Sequence, residues 1–392
     1  MPWRETDKME QKEKFISEML KGEKPFKHLC ADFGISEKTG HKWKNRFFEQ
    51  GKIGLYEQSR NPNQHPNQID GDTAAELICI KNAHQAWGPK KIREIYAKAY
   101  PEKDIPSLSS VKRILDKAGL VEHPKRKRVI LSDCPRLHQQ IKAEAPNDVW
   151  CIDFKGWWKS DGEICEPFTV RDRYSRKILC AQLMTSKHSD DVRAVMTRLF
   201  EKYGLPKVIH SDNGTPFAAP NGLLNLTSLS AWWITLGILP DRSLKGHPGQ
   251  NGSLERMHAD MAREIEGKIP GGIKANQVVI DNWVNEYNRV RPNEAIGMKT
   301  PDEIYTKSER TYFGDFNELE YPPGFLVRKV NSSGTIIING LRPSIGFSLK
   351  GLQVGLKPYP DCNKFDVFLA DFLLGTLDMN SVCFYPLNEL EC

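Results

Sequence analysis

A chain of 392 residues, 39% apolar and 27% charged, has room for about two or three domains and at least one sizeable core, which excludes disordered and fibrous classes. Its longest apolar runs fall short of the roughly 18 residues of a membrane span, and its first residues lack a secretory h-region, so a cytoplasmic location is expected. The net charge of +6 is unevenly spread, with 26 Lys and Arg against 18 Asp and Glu in residues 1–130, the footprint either of a front end that meets phosphate or of a lysine-rich surface.

Along the chain, Phe15, Ile16, Met19 and Leu20, then Phe26, Leu29, Cys30 and Phe33, recur at helical spacing. Gly34 breaks the second helix, Ser36 is a good N-cap, and a third helix follows with Trp43 and Phe47 on one face. This is a helix-turn-helix pattern over 1–60, in which Lys38, Thr39, Lys42, Lys44 and Arg46 lie on the helix expected to enter the major groove. Gly40 departs from the pattern, because an apolar branched residue is expected there to anchor the recognition helix. Residues 59–70 are rich in turn formers and read as a linker. A second helix-turn-helix-like module is expected over 71–124, with Lys112 and Arg113 on its last helix. The run Lys125, Arg126, Lys127, Arg128 opens a basic linker (125–142), read as a strap on phosphate or as a solvated connection.

After about residue 143 the period changes. Three β-rich segments at hairpin spacing, an amphipathic helix and the short strand PKVIHSD predict a mixed α/β sheet, followed by helices at 223–237, about 250–267 and 276–289. The core is assigned to 143–310. From 311 to 392 short β-like runs broken by Gly, Pro and Asn predict a small β-barrel or sandwich. The nine cysteines are scattered without a CxxC pair and read as free thiols.

Three acids stand out. Asp153 interrupts an apolar strand, where a carboxylate needs either a cation or solvent; Asp212 sits at the mouth of a strand; Glu255 begins a helix after a loop rich in Gly and Pro. Oxygen-only ligands of this kind suit Mg²⁺ or Mn²⁺ in two-metal phosphoryl transfer. The segments WCIDFKG, TVRDRYSR, YGLPKVIHSDNGTPF, GHPGQNGSLERMH and WVNEYNRVRPNEA with TPDEIY resemble the integrase-core transposases of bacterial insertion sequences. That likeness implies a ribonuclease H-like core between the helical front end and the β-rich end. It also implies that Asp153, Asp212 and Glu255 are the catalytic acids and hold two Mg²⁺ or Mn²⁺ ions. The expected substrates are double-stranded element ends and target DNA, and the expected assembly is a dimer or tetramer on DNA. In the expected chemistry, water attacks a phosphodiester at the element end and the released 3′ hydroxyl attacks target DNA, with no covalent protein intermediate.

Two departures accompany the likeness. The 42 residues between Asp212 and Glu255 exceed the family's usual spacing, so FAAPNGLLNLT reads as an inserted loop, and Asn293 replaces a usual histidine. Arg256, His258, Arg289 and Arg291 are candidates for contacts to phosphate or the attacking water, with capping or structural roles as the alternatives. The pairs Trp157/Trp158 and Trp232/Trp233 read as core or as stacking platforms, and His210 as structural. A catalytically silent DNA-binding regulator, or a nuclease without joining activity, are the competing functions.

Overall fold

The computed structural model describes residues 8–57, 69–122, 141–219, 222–243, 252–315, 318–360 and 363–391. Residues 1–69 and 70–392 form two separate compact units.

In the first unit, α1 (Lys8–Lys21), α2 (Phe26–Asp32) and α3 (Glu37–Gln50) enclose Phe15, Leu29, Cys30 and Trp43. Ser36 caps α3 as expected, its Oγ accepting from the Thr39 amide at 3.2 Å. Gly40 turns out not to weaken this packing. A Cβ there would lie 2.6 Å from Cys30 Sγ and 3.0 Å from the Phe26 ring, so a close crossing of α2 and α3 replaces the missing branched side chain. Gly40→Val should therefore overpack the crossing and lower stability by about 1–3 kcal/mol, read as an earlier first-unit transition in calorimetry of the full chain.

The second unit opens with α4 (Gly71–Ala83), α5 (Pro89–Ala99) and α6 (Leu108–Lys117), packed around Leu77, Trp87, Ile92, Tyr96 and Leu115. Asp70 and Ser107 cap α4 and α6 through the amides of Thr73 and Ser110. The basic run 125–128 lies outside the described residues.

The sheet comprises β1 (Val149–Phe154), β2 (Trp158–Ser160), β3 (Glu163–Asp172), β4 (Ile178–Met184), β5 (Val208–Ser211) and β6 (Leu239–Arg242). β3 pairs antiparallel with β1, β2 and β4, while β5 lies parallel to β1 and β6 parallel to β5. The helices are α7 (Ser189–Tyr203), α8 (Ser228–Thr235), α9 (Gly252–Glu264), α10 (Gly272–Arg289) and α11 (Pro301–Ile304). Only 228–235 of the expected 223–237 helix is α-helical, because Leu224 and Asn225 take positive φ and Gly237 ends the run. Leu239–Arg242 then adds a strand that its short length and Pro240 conceal in the sequence.

Alternation along β1 sorts the two faces. Trp150 and Ile152 join Val192, Phe200 and Trp232 of α7 and α8, whereas Val149 and Cys151 join Leu254, Met257 and Trp283 of α9 and α10.

The β-rich end is a meander of β7 (Leu326–Lys329), β8 (Gln353–Pro358), β9 (Lys364–Leu369), β10 (Phe372–Asp378) and β11 (Cys383–Glu391), each antiparallel to the next. β7 and β11 are its two edges, so a single open sheet stands where a small barrel or sandwich is expected. The run GTIIING contributes only the isolated bridges Thr335–Ser344 and Ile338–Leu341, because Asn331 Oδ1 accepts from the amides of Ser333 and Thr335 and folds the segment into a turn. Helix α8 is buried from Leu229 to Thr235: Trp232 and Trp233 enter the central core, while Ala231 and Ile234 pack with Leu226 against the β-rich sheet. The stretch read as an inserted loop thus supplies Phe217 to the central core and Leu226 to the junction with the C-terminal sheet. Among the described residues no helix is long and apolar enough to cross a membrane.

Candidate active site

The parallel pairing of β1 and β5 aligns two of the three acids. Cys151 is the register partner of His210; two residues further on come Asp153, still in β1, and Asp212, just past the end of β5. Side chains repeat every second residue in a strand, so Asp153 follows Cys151 onto the face covered by α9. Glu255 stands exposed in the first turn of α9, beside the buried Leu254. Asp212 is fixed by a turn, its Oδ1 accepting from the Gly214 amide at 3.0 Å.

These acids feel one another. Burial, then the charge of Asp212 and, more weakly, that of Glu255 push the Asp153 carboxyl up from 3.8 to about 7, against the attraction of Lys187. Among the described residues, however, no three His, Cys, Asp or Glu side chains stand close enough to hold a metal ion. The donor set is nevertheless suited to a hard divalent cation, being all carboxylate and carrying a mutual repulsion that such an ion would relieve.

His258, one turn after Glu255, is tied into the sheet. Thr169 faces Asp153 across β1 and β3, and its hydroxyl donates to the Asp153 carbonyl at 3.0 Å. That hydroxyl has one proton, so at 2.8 Å it accepts from His258 Nε2. The bare Nδ1 then faces Asp153 Oδ2 at 3.9 Å. Burial, with Lys155 and Arg171 nearby, pushes the imidazole down to about 3, so His258 is neutral and pins α9 to β3.

Family models match several parts of the chain. Integrase core domain models match residues 143–248 and 236–301, a helix-turn-helix model matches 11–63, and a homeodomain-like model matches 39–115. An insertion element IS407 protein of Burkholderia multivorans is 24% identical over 250 residues, covering 63% of this chain and 84% of its own. The chain thus carries an integrase core domain behind helix-turn-helix domains, and the relatives it resembles are insertion-element proteins. An insertion element IS476 protein of Xanthomonas euvesicatoria is 21% identical over 253 residues, covering 64% of this chain and 69% of its own. Among solved structures, the HTLV-2 integrase catalytic core domain matches at 14% identity and TM-score 0.32, over 42% of this chain and all of its own (100%). A simian T-cell lymphotropic virus intasome matches at 14% and 0.35, over 73% and 93%.

The other candidate residues are dispersed. On α3, Lys38 and Lys42 are exposed, Thr39 is taken up by the Ser36 cap, and Lys44 lies 5.6 Å from the Phe26 ring centroid. Lys42 and Arg46 both lie over Trp43, so part of the helix's charge is spent holding its own aromatic residue. Arg256 is exposed, and the exposed Arg289 has Nε 3.5 Å from Asp302. Arg291, in contrast, is 4% exposed and bridges Asp260 (2.7 Å) and Glu264 (3.0 Å) of α9, with its guanidinium 6.0 Å from the Trp87 ring. No periodicity announces this link, because the chain before Pro292 gives no hint that its arginine reaches a helix some thirty residues earlier. His84 and Glu286 (2.8 Å), Lys90 and Glu294 (2.8 Å), and Lys98 and Glu303 (3.2 Å) fasten the same seam between α4–α5 and the core. Lys112 and Arg113 on α6 are exposed.

Trp158, Trp232 and Trp233 are core residues, whereas Trp157 is 58% exposed. His210 is buried, bonded to Asp241 (2.6 Å) and Ser243 (3.0 Å), and joins β5 to the β6 end.

Proposed function

We propose that this chain is a transposase that binds the ends of its insertion element and catalyses metal-dependent strand cleavage and strand transfer. The observation that carries the reading is that Asp153 in β1 and Asp212, just past the end of the neighbouring parallel strand β5, follow paired residues, with Asp153 under the repulsion of both Asp212 and Glu255. Asp153, Asp212 and Glu255 would together hold two Mg²⁺ or Mn²⁺ ions. Bound there, such ions neutralise phosphoryl charge and make water a nucleophile at neutral pH. The protein's own part is to position and to exclude alternatives. His258 and Thr169 fix the α9 end against β1 and β3, Gly214 orients Asp212, and neutral His258 adds no cation to compete with the metal site. Because the carboxylates serve as ligands, no Ser, Tyr or Cys nucleophile is needed.

In this reading α3 supplies base readout through Lys38 and Lys42, and Lys112 and Arg113 of α6 add phosphate contacts. Duplex DNA, as element ends and as target, is the substrate, and joining two ends calls for a dimer or tetramer. The test is incubation of the full chain with end-labelled duplexes carrying the element's termini, with Mg²⁺, Mn²⁺ or chelator. Metal-dependent nicks ending in 3′ hydroxyls, followed by strand-transfer products, are expected. Binding without nicking would mark a silent regulator instead, and nicking without joined products a plain nuclease.

A further inference from the structure

The segment TVRDRYSR leaves three arginines without a role in the chemistry above. Arg171, Arg173 and Arg176 fall in and after β3 at the end of the sheet opposite the acids, since Asp172 pairs with Trp150 while Asp153 pairs with Thr169. Asp172 folds the turn that gathers them: its carboxylate accepts from the Asn147 amide (2.8 Å), the Ser175 amide (2.7 Å) and the Ser175 hydroxyl (2.6 Å).

What the three guanidinium groups touch is neutral. Arg171 donates to the carbonyls of Arg176 (3.2 Å) and Ser253, and Arg173 to Cys151 Sγ (3.2 Å) and the Ile141 carbonyl (3.0 Å). Arg173 Nη2 and Arg176 Nε are shut off from water, and neither has a hydrogen-bond partner among the described residues. Burial first, then the charge of Arg171, holds the Arg176 guanidinium below its ordinary value. Arg173 and Arg176 border an open cleft of about 550 Å³ with exposed Lys142 and Tyr174 and the side chains of Ile296 and Ile304. Among the described residues no carboxylate lines it.

A purely structural arginine cluster would be expected to draw in a counter-anion from the protein, and here the cleft is lined by three cations and a phenol instead. Planar guanidinium forks match phosphate oxygens, and nothing in the cleft resembles a helix or ribbon able to read base edges. We propose that this cleft is a second phosphate-binding site that grips the backbone of duplex DNA without regard to sequence, at the end of the core remote from the acids. The proposal rests on the reading that duplex DNA is the substrate, and adds a place where the core holds it.

The test is the salt dependence of affinity for a short duplex lacking element ends, measured on the full chain. Each lost phosphate contact lowers the slope of log K against log salt by about 0.9. Joint Arg173→Gln and Arg176→Gln substitution should therefore reduce the slope by about 2, and the affinity about tenfold or more near 0.1 M salt. Lys142→Glu, on an exposed side chain that cannot disturb packing, should reduce it by about 1 and serves if the double variant fails to fold. Wild-type slopes in a folded double variant, or in Lys142→Glu, overturn the cleft, and they leave the active-site reading standing if metal-dependent nicking persists. A wild-type chain that neither binds nor nicks duplex DNA overturns that reading as well.

Discussion

Asp153→Asn should abolish strand cleavage and, at the same time, make the protein more stable. If Asp153 is a ligand of the proposed two-metal site, its loss removes several kcal/mol of transition-state stabilisation, so cleavage should fall by about 10³-fold or more. The stability gain follows from the raised carboxyl of Asp153, pushed by burial and by Asp212 and Glu255 to about 7. In the unfolded chain the same group loses its proton near pH 3.8. As pH rises from about 4 to 7 the unfolded state ionises first, and the folded state is progressively penalised until the penalty is complete above pH 7. Asparagine keeps the shape without the charge. Denaturation in chelator should therefore show the variant about 2–4 kcal/mol more stable at pH 8, with the difference vanishing by about pH 4. Added Mg²⁺ or Mn²⁺ should stabilise the wild type and leave the variant nearly unchanged. An asparagine variant less stable than wild type at pH 8 would remove the electrostatic argument for the site.

Arg291→Ala should cost about 3 kcal/mol or more. The guanidinium is nearly inaccessible and satisfies Asp260 and Glu264 together, so truncation leaves two carboxylates in a seam shared with Trp87. Arg263 relieves part of this, lying 2.6 Å from Asp260, and Lys91 stands nearby with its ammonium pushed by burial down to about 8. Arg291→Lys should rescue little, because one ammonium cannot span both acids as a planar fork does. Thermal unfolding of the two variants checks this; a lysine variant as stable as wild type would show that charge alone, and not bidentate geometry, holds the seam.

Much of the core was legible because its signals are local. Alternation in VWCIDF, the cap Ser36 and the helix of 189–203 are each dictated by residues a few positions apart. The acids could be singled out because Asp153 breaks an apolar strand and Asp212 ends one. What brings them together is less visible: the parallel β1–β5 register depends on α7 crossing between them, which residue types do not specify. The strand Leu239–Arg242 is hidden by its proline and by pairing that only a neighbour can supply. The C-terminal runs gave β content but not closure, since edge pairing is decided by twist and connection lengths. Arg291 reads as a phosphate contact or a cap because an arginine just past a helix end is ambiguous until its distant carboxylates are known. Gly40 looked like a defect for the same reason, its partner Cys30 lying on another helix.

Helix α8 has a consequence for how this polypeptide can evolve and be dissected. Its eight residues serve as a keystone, one side wedged into the catalytic half and the other into the terminal meander. A shortened product that stops before Leu326 would turn Ala231 and Ile234 outward as a sticky apolar stripe, inviting self-association. The five strands at the end of the chain are therefore not an ornament that can be shed, and changes on either side of that helix must be matched on the other.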